Sequence, residues 1–249
     1  MTSEIRYPRR VLIRKTAKLF ARAAFSLLSD FHIEGRENLP DSGPLLVVAN
    51  HFSFIDPVAL VRTLPYPLEF VGGAEFPHAP KIVQFLPKLY GYYPVFRGTG
   101  SRFALRAAEK ILEQDGVIGI MPEGGSWAEV LRPARPGAAF LASRSKARIL
   151  PLGIHGLNEI FPVELGKKPD VFVRIGKPIG PFSASGRGRE KRQQLDEIGQ
   201  KIMQAIAALL PDRFRGYLAE DPAVRAAAQG TEVYPWKHQV EGEVEGEVH

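Results

Sequence analysis

The sequence predicts an α/β fold: a largely parallel sheet flanked by helices, with an N-terminal amphipathic helical segment. Three observations predict it. Short apolar runs such as Leu45–Asn50 (LLVVAN) and Val117–Met121 (VIGIM) have the length and branched composition of strands buried on both faces. Segments of helical periodicity lie between these runs, and strands that alternate with helices assemble into a parallel sheet. At 249 residues, 45% hydrophobic and 24% charged, the chain has the make-up of one large globular domain, with or without an appendage. That length buries enough surface to need neither disulfide nor metal.

Arg10–Ser29 reads as the amphipathic helix. Val11, Leu12, Leu19, Phe20, Ala23, Leu27 and Leu28 share one broad face, and Arg14, Lys15, Lys18 and Arg22 lie mostly off it. This pattern suits a helix lying in a membrane interface, and it also suits a helix packed on its own domain. Leu45–Asn50 is the first clear strand, followed by a helix opening at Asp56–Pro57, where Asp caps and Pro fits the first turn. Leu68–Val71 reads as a strand, Ala79–Leu86 as a short helix and Tyr93–Phe96 as a strand. Ser101–Gln114 is a helix with Ser101 as its cap, and Val117–Met121 is a strand. Gly137–Ser145 continues as a helix, and Ala147–Ile154 and Val171–Ile175 as strands. Lys191–Leu210 is a long helix with Leu195, Ile198, Ile202, Ile206 and Leu209 on one face. The polar stretch Ser183–Arg192 reads as a loop, and the Glu-Gly-Glu-Val repeat near the C-terminus as a low-complexity acidic tail. The expected organisation is therefore residues 1–30 as a membrane-interface helix, 31–216 as the α/β domain and 217–249 as a helix remnant with an acidic tail.

Charge divides the chain unevenly. Residues 217–249 hold two basic and seven acidic residues, a balance of −5, so the +6 of the whole chain leaves +11 on residues 1–216. The first 30 residues alone hold seven basic and two acidic residues. Such a body is drawn to an anionic partner: nucleic acid, an anionic membrane or a phosphorylated substrate. No nucleic-acid reading module accompanies the charge, so a nucleic-acid partner is not expected. There is no cysteine, which excludes a disulfide scaffold, a thiolate zinc site and a cysteine nucleophile. No apolar run reaches the length of a transmembrane helix, and cations interrupt the only segment placed like a signal peptide. The expected location is cytoplasmic, peripherally associated with the inner face of the membrane.

Four motifs follow predicted strands, and in open α/β sheets ligands bind beyond the carboxyl ends of the strands. The first is Asn50-His51-Phe52-Ser53-Phe54-Ile55-Asp56-Pro57. A turn there brings the Asp56 carboxylate back to the His51 imidazole, the arrangement of a general base held in one tautomer. A capping Asp beside an unrelated His has the same spacing. The second motif is Gly91-Tyr92-Tyr93-Pro94-Val95-Phe96-Arg97, which sets a guanidinium after a strand, where it suits a phosphate. The third is Met121-Pro122-Glu123-Gly124-Gly125 and the fourth Leu150-Pro151-Leu152-Gly153-Ile154-His155-Gly156. Four such motifs in order point to one shared site. Ser126 lacks a nucleophile-elbow sequence around it, and His78 and His155 read as structural. A metal at His51 and Asp56 would need further ligands at a spacing the sequence does not offer. Phe76, Phe85, Tyr90 and Tyr92 read as core, or as the lining of an acyl tunnel.

Taken in order, these motifs resemble those of the glycerolipid acyltransferase family, the 1-acylglycerol-3-phosphate acyltransferases and their relatives. Asn50, His51 and Asp56 match the family's N-H-x-x-x-x-D block, and Gly91 to Arg97 its G-x-x-x-x-x-R block. Pro122-Glu123-Gly124 matches part of its F-P-E-G-T-R block, and Leu150-Pro151-Leu152-Gly153 its proline-containing fourth block. Val173–Ile179 resembles the family's late strand and G-x-P-I turn. The resemblance covers roughly residues 30–210. It implies transfer of an acyl group from a thioester of coenzyme A or acyl carrier protein to the hydroxyl of a lysophospholipid. His51 would take the hydroxyl proton, with Asp56 orienting it. Arg97, Glu123 and Gly124 would hold the glycerol phosphate, and an amide near Gly124 or Gly125 would face the oxyanion. No resident cofactor is implied.

One departure stands out. Gly125-Ser126-Trp127 occupies the place where the family has Thr-Arg after Glu-Gly. Either Arg132 or Arg135 supplies the missing charge from the following loop, or the acceptor has a different head group. Two other functions stay open on the residues alone: an acyl ester or thioester hydrolase that uses the same His-Asp pair with water, and a non-catalytic membrane binder.

Overall fold

The computed structural model describes residues 5–73, 85–95, 102–164 and 166–233. Among them, seven strands form one sheet in the order β1-β7-β6-β2-β5-β3-β4. The strands are β1 (Asp30–Glu34), β2 (Leu45–Ala49), β3 (Leu68–Gly73), β4 (Tyr93–Val95), β5 (Val117–Ile120), β6 (Arg148–His155) and β7 (Asp170–Ile175). From β6 to β4 every pairing is parallel; β6 and β7 pair antiparallel, and β1 lies parallel to β7 at the edge. The expected α/β class with a largely parallel sheet is borne out.

The central strands are apolar because both faces are covered. On one face Leu46 and Val48 of β2 and Ile118 and Ile120 of β5 pack under α4 (Arg102–Leu112), α5 (Pro136–Arg144) and α6 (Gly188–Ala207). On the other, Leu45, Val47 and Ala49 join Phe25 of α1 (Val11–Leu28) and Leu60 of α2 (Asp56–Thr63). The side chains alternate between faces along each strand, so a five-residue apolar run serves both layers.

Several boundaries differ from the sequence reading. β1 was not expected: its alternate residues are exposed, and Asp30, His32 and Glu34 hide the pattern. β3 runs two residues further, to Gly73. The helix expected at Ala79–Leu86 lies mostly outside the described residues; α3 occupies Phe85–Tyr90. Ser101 also lies outside them. A short helix α7 (Pro222–Ala227) follows two 3₁₀ turns beyond α6.

Helix α1 does not pack by its apolar stripe. Its buried residues are Arg14, Ala21 and Phe25, while Leu12, Leu19, Phe20 and Leu27 are each at least two-thirds exposed. Arg14 reaches across to Glu69 of β3, with Nη1–Oε1 at 2.5 Å and Nη2–Oε2 at 2.7 Å. It also donates to the carbonyls of Tyr90 and Gly91, and Arg9 adds a second guanidinium to Glu69 at 2.9 Å. Arg14 and Glu69 are both almost wholly buried. A buried carboxylate needs such donors, since losing one partner leaves an uncompensated charge.

Candidate active site

The parallel strands end together, because Val48 of β2 lies level with Ile120 of β5 and Pro151 of β6. His51 follows β2, Glu123 follows β5 and His155 closes β6, so three of the four motifs meet at one end of the sheet. Asn50 fixes the first of them. Its amide nitrogen donates to the Ile154 carbonyl and its Oδ1 accepts from the Ile154 N–H, both at 2.7 Å. The motif counted Asn50 but gave it no part; a fully buried amide at a strand end has to find such a partner.

His51 Nδ1 lies 2.9 Å from Asp56 Oδ2, which also accepts the Ser53 N–H at 2.8 Å. Helix α2 is therefore capped differently from expectation. Ile55 is the N-cap and Asp56 the first helical residue; its carboxylate turns back to the His51 loop. The imidazole is 18% exposed and the carboxylate 1%. With the imidazole in the tautomer that donates Nδ1–H to the carboxylate, Nε2 would be the ring nitrogen free to act as an acceptor. Burial raises the Asp56 pKa, while the bond from His51 pulls it down.

Glu123 and Arg132 were both expected to hold the acceptor. Their charged groups are buried and hold each other. Arg132 Nε and Nη2 lie 2.8 and 2.7 Å from Glu123 Oε2, and Glu123 Oε1 accepts the His51 N–H at 2.8 Å. Arg132 Nη2 also donates to the carbonyls of His51 and Gly125. The pair thus ties the loop after β5 to the loop that carries the base. Burial pushes the Glu123 carboxyl up to about 7, against the pull of Arg132 and the His51 amide toward the anion. The indole of Trp127 stacks on the Arg132 guanidinium, 3.9 Å from ring centroid to Cζ.

Gly124 has φ +80°, which favours glycine, and its amide closes a turn onto the Met121 carbonyl. Arg135 runs alongside: its N–H donates to the Pro122 carbonyl and its exposed side chain reaches the Glu232 carbonyl at 3.3 Å. Trp127 Nε1 donates to the Thr231 carbonyl at 2.8 Å. Residues 211–233 therefore cross this end of the sheet, with Phe214 against Phe52 and His155. Tyr217 is pushed up to about 12 by burial and by the charge of Glu123. Sequence reasoning missed this segment, whose contacts join residues some 100 positions apart. Arg97, His78 and Phe76 lie outside the described residues. Phe85 is exposed, and Tyr90 and Tyr92 pack against the core.

The family model for acyltransferases matches residues 30–155, from β1 to the end of β6. The chain belongs to the acyltransferase family. It is similar to the chloroplastic 1-acyl-sn-glycerol-3-phosphate acyltransferase LPAT1 of Arabidopsis thaliana, at 27% identity over 73% of this chain. It is likewise similar to the corresponding enzyme BAT2 of Brassica napus, at 26% identity over 73% of this chain. The chain spans about half the length of these curated relatives, 52% and 54%. Among solved structures it is similar to the 1-acyl-sn-glycerophosphate acyltransferase PlsC of Thermotoga maritima. The TM-score is 0.55 at 25% identity, over 79% of this chain and 82% of that one. The family expected from the motifs is borne out, and its matched region contains the whole His51–Asp56–Glu123–Arg132 assembly.

Proposed function

We propose that the chain transfers an acyl group from a thioester, of coenzyme A or acyl carrier protein, to the hydroxyl of a lysophospholipid, most simply 1-acylglycerol-3-phosphate. The observation that carries this reading is the dyad: a solvent-reachable imidazole held at Nδ1 by a buried carboxylate, at the carboxyl end of a family-matched sheet. Nε2 takes the acceptor hydroxyl proton as the oxygen attacks the thioester carbonyl. The carbon–sulfur bond then breaks, and the departing thiolate takes the proton back from Nε2. General-base assistance of this kind is worth about 10²–10⁴ in rate. Glu123 and Arg132 keep the base's loop in place. The Gly124 amide is engaged with the Met121 carbonyl, which leaves Gly125 as the glycine of this loop whose amide could face the oxyanion. Of the candidate arginines in the described residues, Arg135 has the exposed guanidinium suited to the acceptor phosphate; Arg97 is the other candidate.

The reading includes a membrane surface as partner, since the acceptor is a lipid. Supporting it, α1 turns Leu12, Leu19, Phe20 and Leu27 outward, and α3, which packs on α1, adds Phe85, Leu86 and Leu89. An exposed apolar patch beside cations suits an anionic lipid interface. No helix among the described residues is long and apolar enough to cross a membrane. The test is thiol release from acyl-coenzyme A with 1-acylglycerol-3-phosphate, expected to need both substrates. Thiol release at the same rate with water alone would mark a hydrolase instead.

A further inference from the structure

Beside the dyad lies a second feature that the acyl-transfer chemistry above does not use. A solvent-connected cleft of about 220 Å³ is lined by the aromatics Phe52, Phe54 and Trp127 and by Ser53, Ser126, Glu129 and Asn158. Ser53 is 3% exposed, and its hydroxyl is buried without a hydrogen-bond partner. The same residue, with Phe52, Glu129 and Asn158, also lines a smaller neighbouring cavity that Asp56 borders. The amide nitrogen of Asn158 donates to the Phe52 carbonyl at 3.0 Å and to Glu129 Oε1 at 2.6 Å. That fixes the amide plane and leaves Oδ1 as its acceptor for a ligand N–H.

The charges decide what fits. Among the described residues no Lys, Arg or His lines the cleft, and its one ionisable wall residue is the carboxylate Glu129. The nearby Arg132 is fully buried under Trp127 and engaged with Glu123. A phosphate would enter beside a carboxylate with no cation to meet it, which electrostatics oppose. Hydroxyls, a fixed amide and an indole face suit a neutral, amide-bearing chain. In an acyl thioester of coenzyme A or acyl carrier protein, the group next to the sulfur is such a chain: the pantetheine arm, with two amides and a hydroxyl before its phosphate.

We propose that this cleft binds the neutral pantetheine arm of the acyl donor, through Ser53, Ser126 and Asn158 with Trp127 packed against it. The proposal rests on the acyl-transfer reading and adds the place of the donor to it. It also gives Ser126-Trp127 a purpose: the indole shields the guanidinium and makes this wall neutral.

The test pairs kinetics with direct binding. Ser126→Ala removes one hydroxyl and Ser126→Leu fills the cleft, and thermal unfolding confirms that each variant folds. KM is measured for acyl-coenzyme A, for the corresponding acyl-pantetheine and for 1-acylglycerol-3-phosphate. The expected result is a rise in both donor KM values by a common factor, about 3–10-fold for Ser126→Ala and larger for Ser126→Leu. KM for the lipid acceptor stays put. Binding of the unreactive S-methylpantetheine to the full chain, followed by ligand-observed NMR, is expected for the native protein and lost in Ser126→Leu. A shift confined to the acceptor KM assigns the cleft to the lipid and overturns the proposal. So does failure of the native chain to bind S-methylpantetheine, or binding that Ser126→Leu leaves intact. The binding arm needs no turnover: thiol release that never depends on an acceptor defeats the acyl-transfer reading and leaves the binding result to judge the cleft.

Discussion

In the proposed reaction His51 is the residue on which the chemistry turns, and its surroundings make distinct demands on their partners. Asp56→Asn keeps the shape but takes away the charge that holds Nδ1–H. Transfer should fall by about 10²–10⁴, chiefly in kcat, with the fold retained; unchanged kcat in steady-state assays would remove Asp56 from the dyad. Glu123 and Arg132 act differently, because their side chains are buried and pair with each other. Arg132→Met leaves a buried carboxylate without its guanidinium partner and should cost about 3–5 kcal/mol in chemical unfolding. The double variant Glu123→Gln, Arg132→Met should recover part of that loss, since no lone charge remains. These roles were only half legible. The His-Asp spacing marks a turn, but no local signal says that Glu123 turns inward toward Arg132, nine residues later. That depends on how the loop after β5 folds over the end of β2.

At the scale of elements, α1 is the informative case. Its periodicity predicts a polar and an apolar face, and both exist, but their orientation is not in the pattern. Arg14, a member of the polar set, is one of the residues that bind the helix to the body, through Glu69 and the carbonyls of Tyr90 and Gly91. The apolar stripe is left outside. A lone carboxylate inside the strand Leu68–Gly73 was the available hint, since a buried charge needs a partner from elsewhere. Replacing Leu12, Phe20 and Leu27 with Ser should therefore leave the melting temperature nearly unchanged and weaken pelleting with anionic vesicles several-fold. An apolar stripe buried against the domain would give the reverse. Glu69→Leu should instead lower stability by about 3–5 kcal/mol, because it strands two guanidinium groups. Strand β1 escaped notice for a related reason: an edge strand with alternating charges carries little apolar signal.

For the whole molecule, the strand–helix alternation was enough to place the motifs of His51, Glu123 and His155 at one end of a parallel sheet. The far C-terminal segment was not legible, because its contacts with Trp127 and Arg135 depend on the finished fold. The global pH response follows from the buried carboxyls. Burial raises Glu123 from the ordinary 4.5 to about 7, and Asp56 shifts the same way. The folded protein then holds these protons more tightly than the unfolded chain. The stabilisation is complete below the ordinary carboxylate range and is lost as pH rises through the folded values. Melting temperatures across pH 4.5–7 should fall more steeply for the native protein than for Glu123→Gln; equal slopes would contradict the shift.

The chain has no cysteine, so a thiol reagent sees only the released product. The measurement that bears most directly on the account is acceptor-dependent thiol release from acyl-coenzyme A, native protein against His51→Ala, both shown to be folded. The account predicts a loss of about 10²–10⁴ in rate with the lysophospholipid present. Release within a few-fold of native by the folded His51→Ala protein would contradict it.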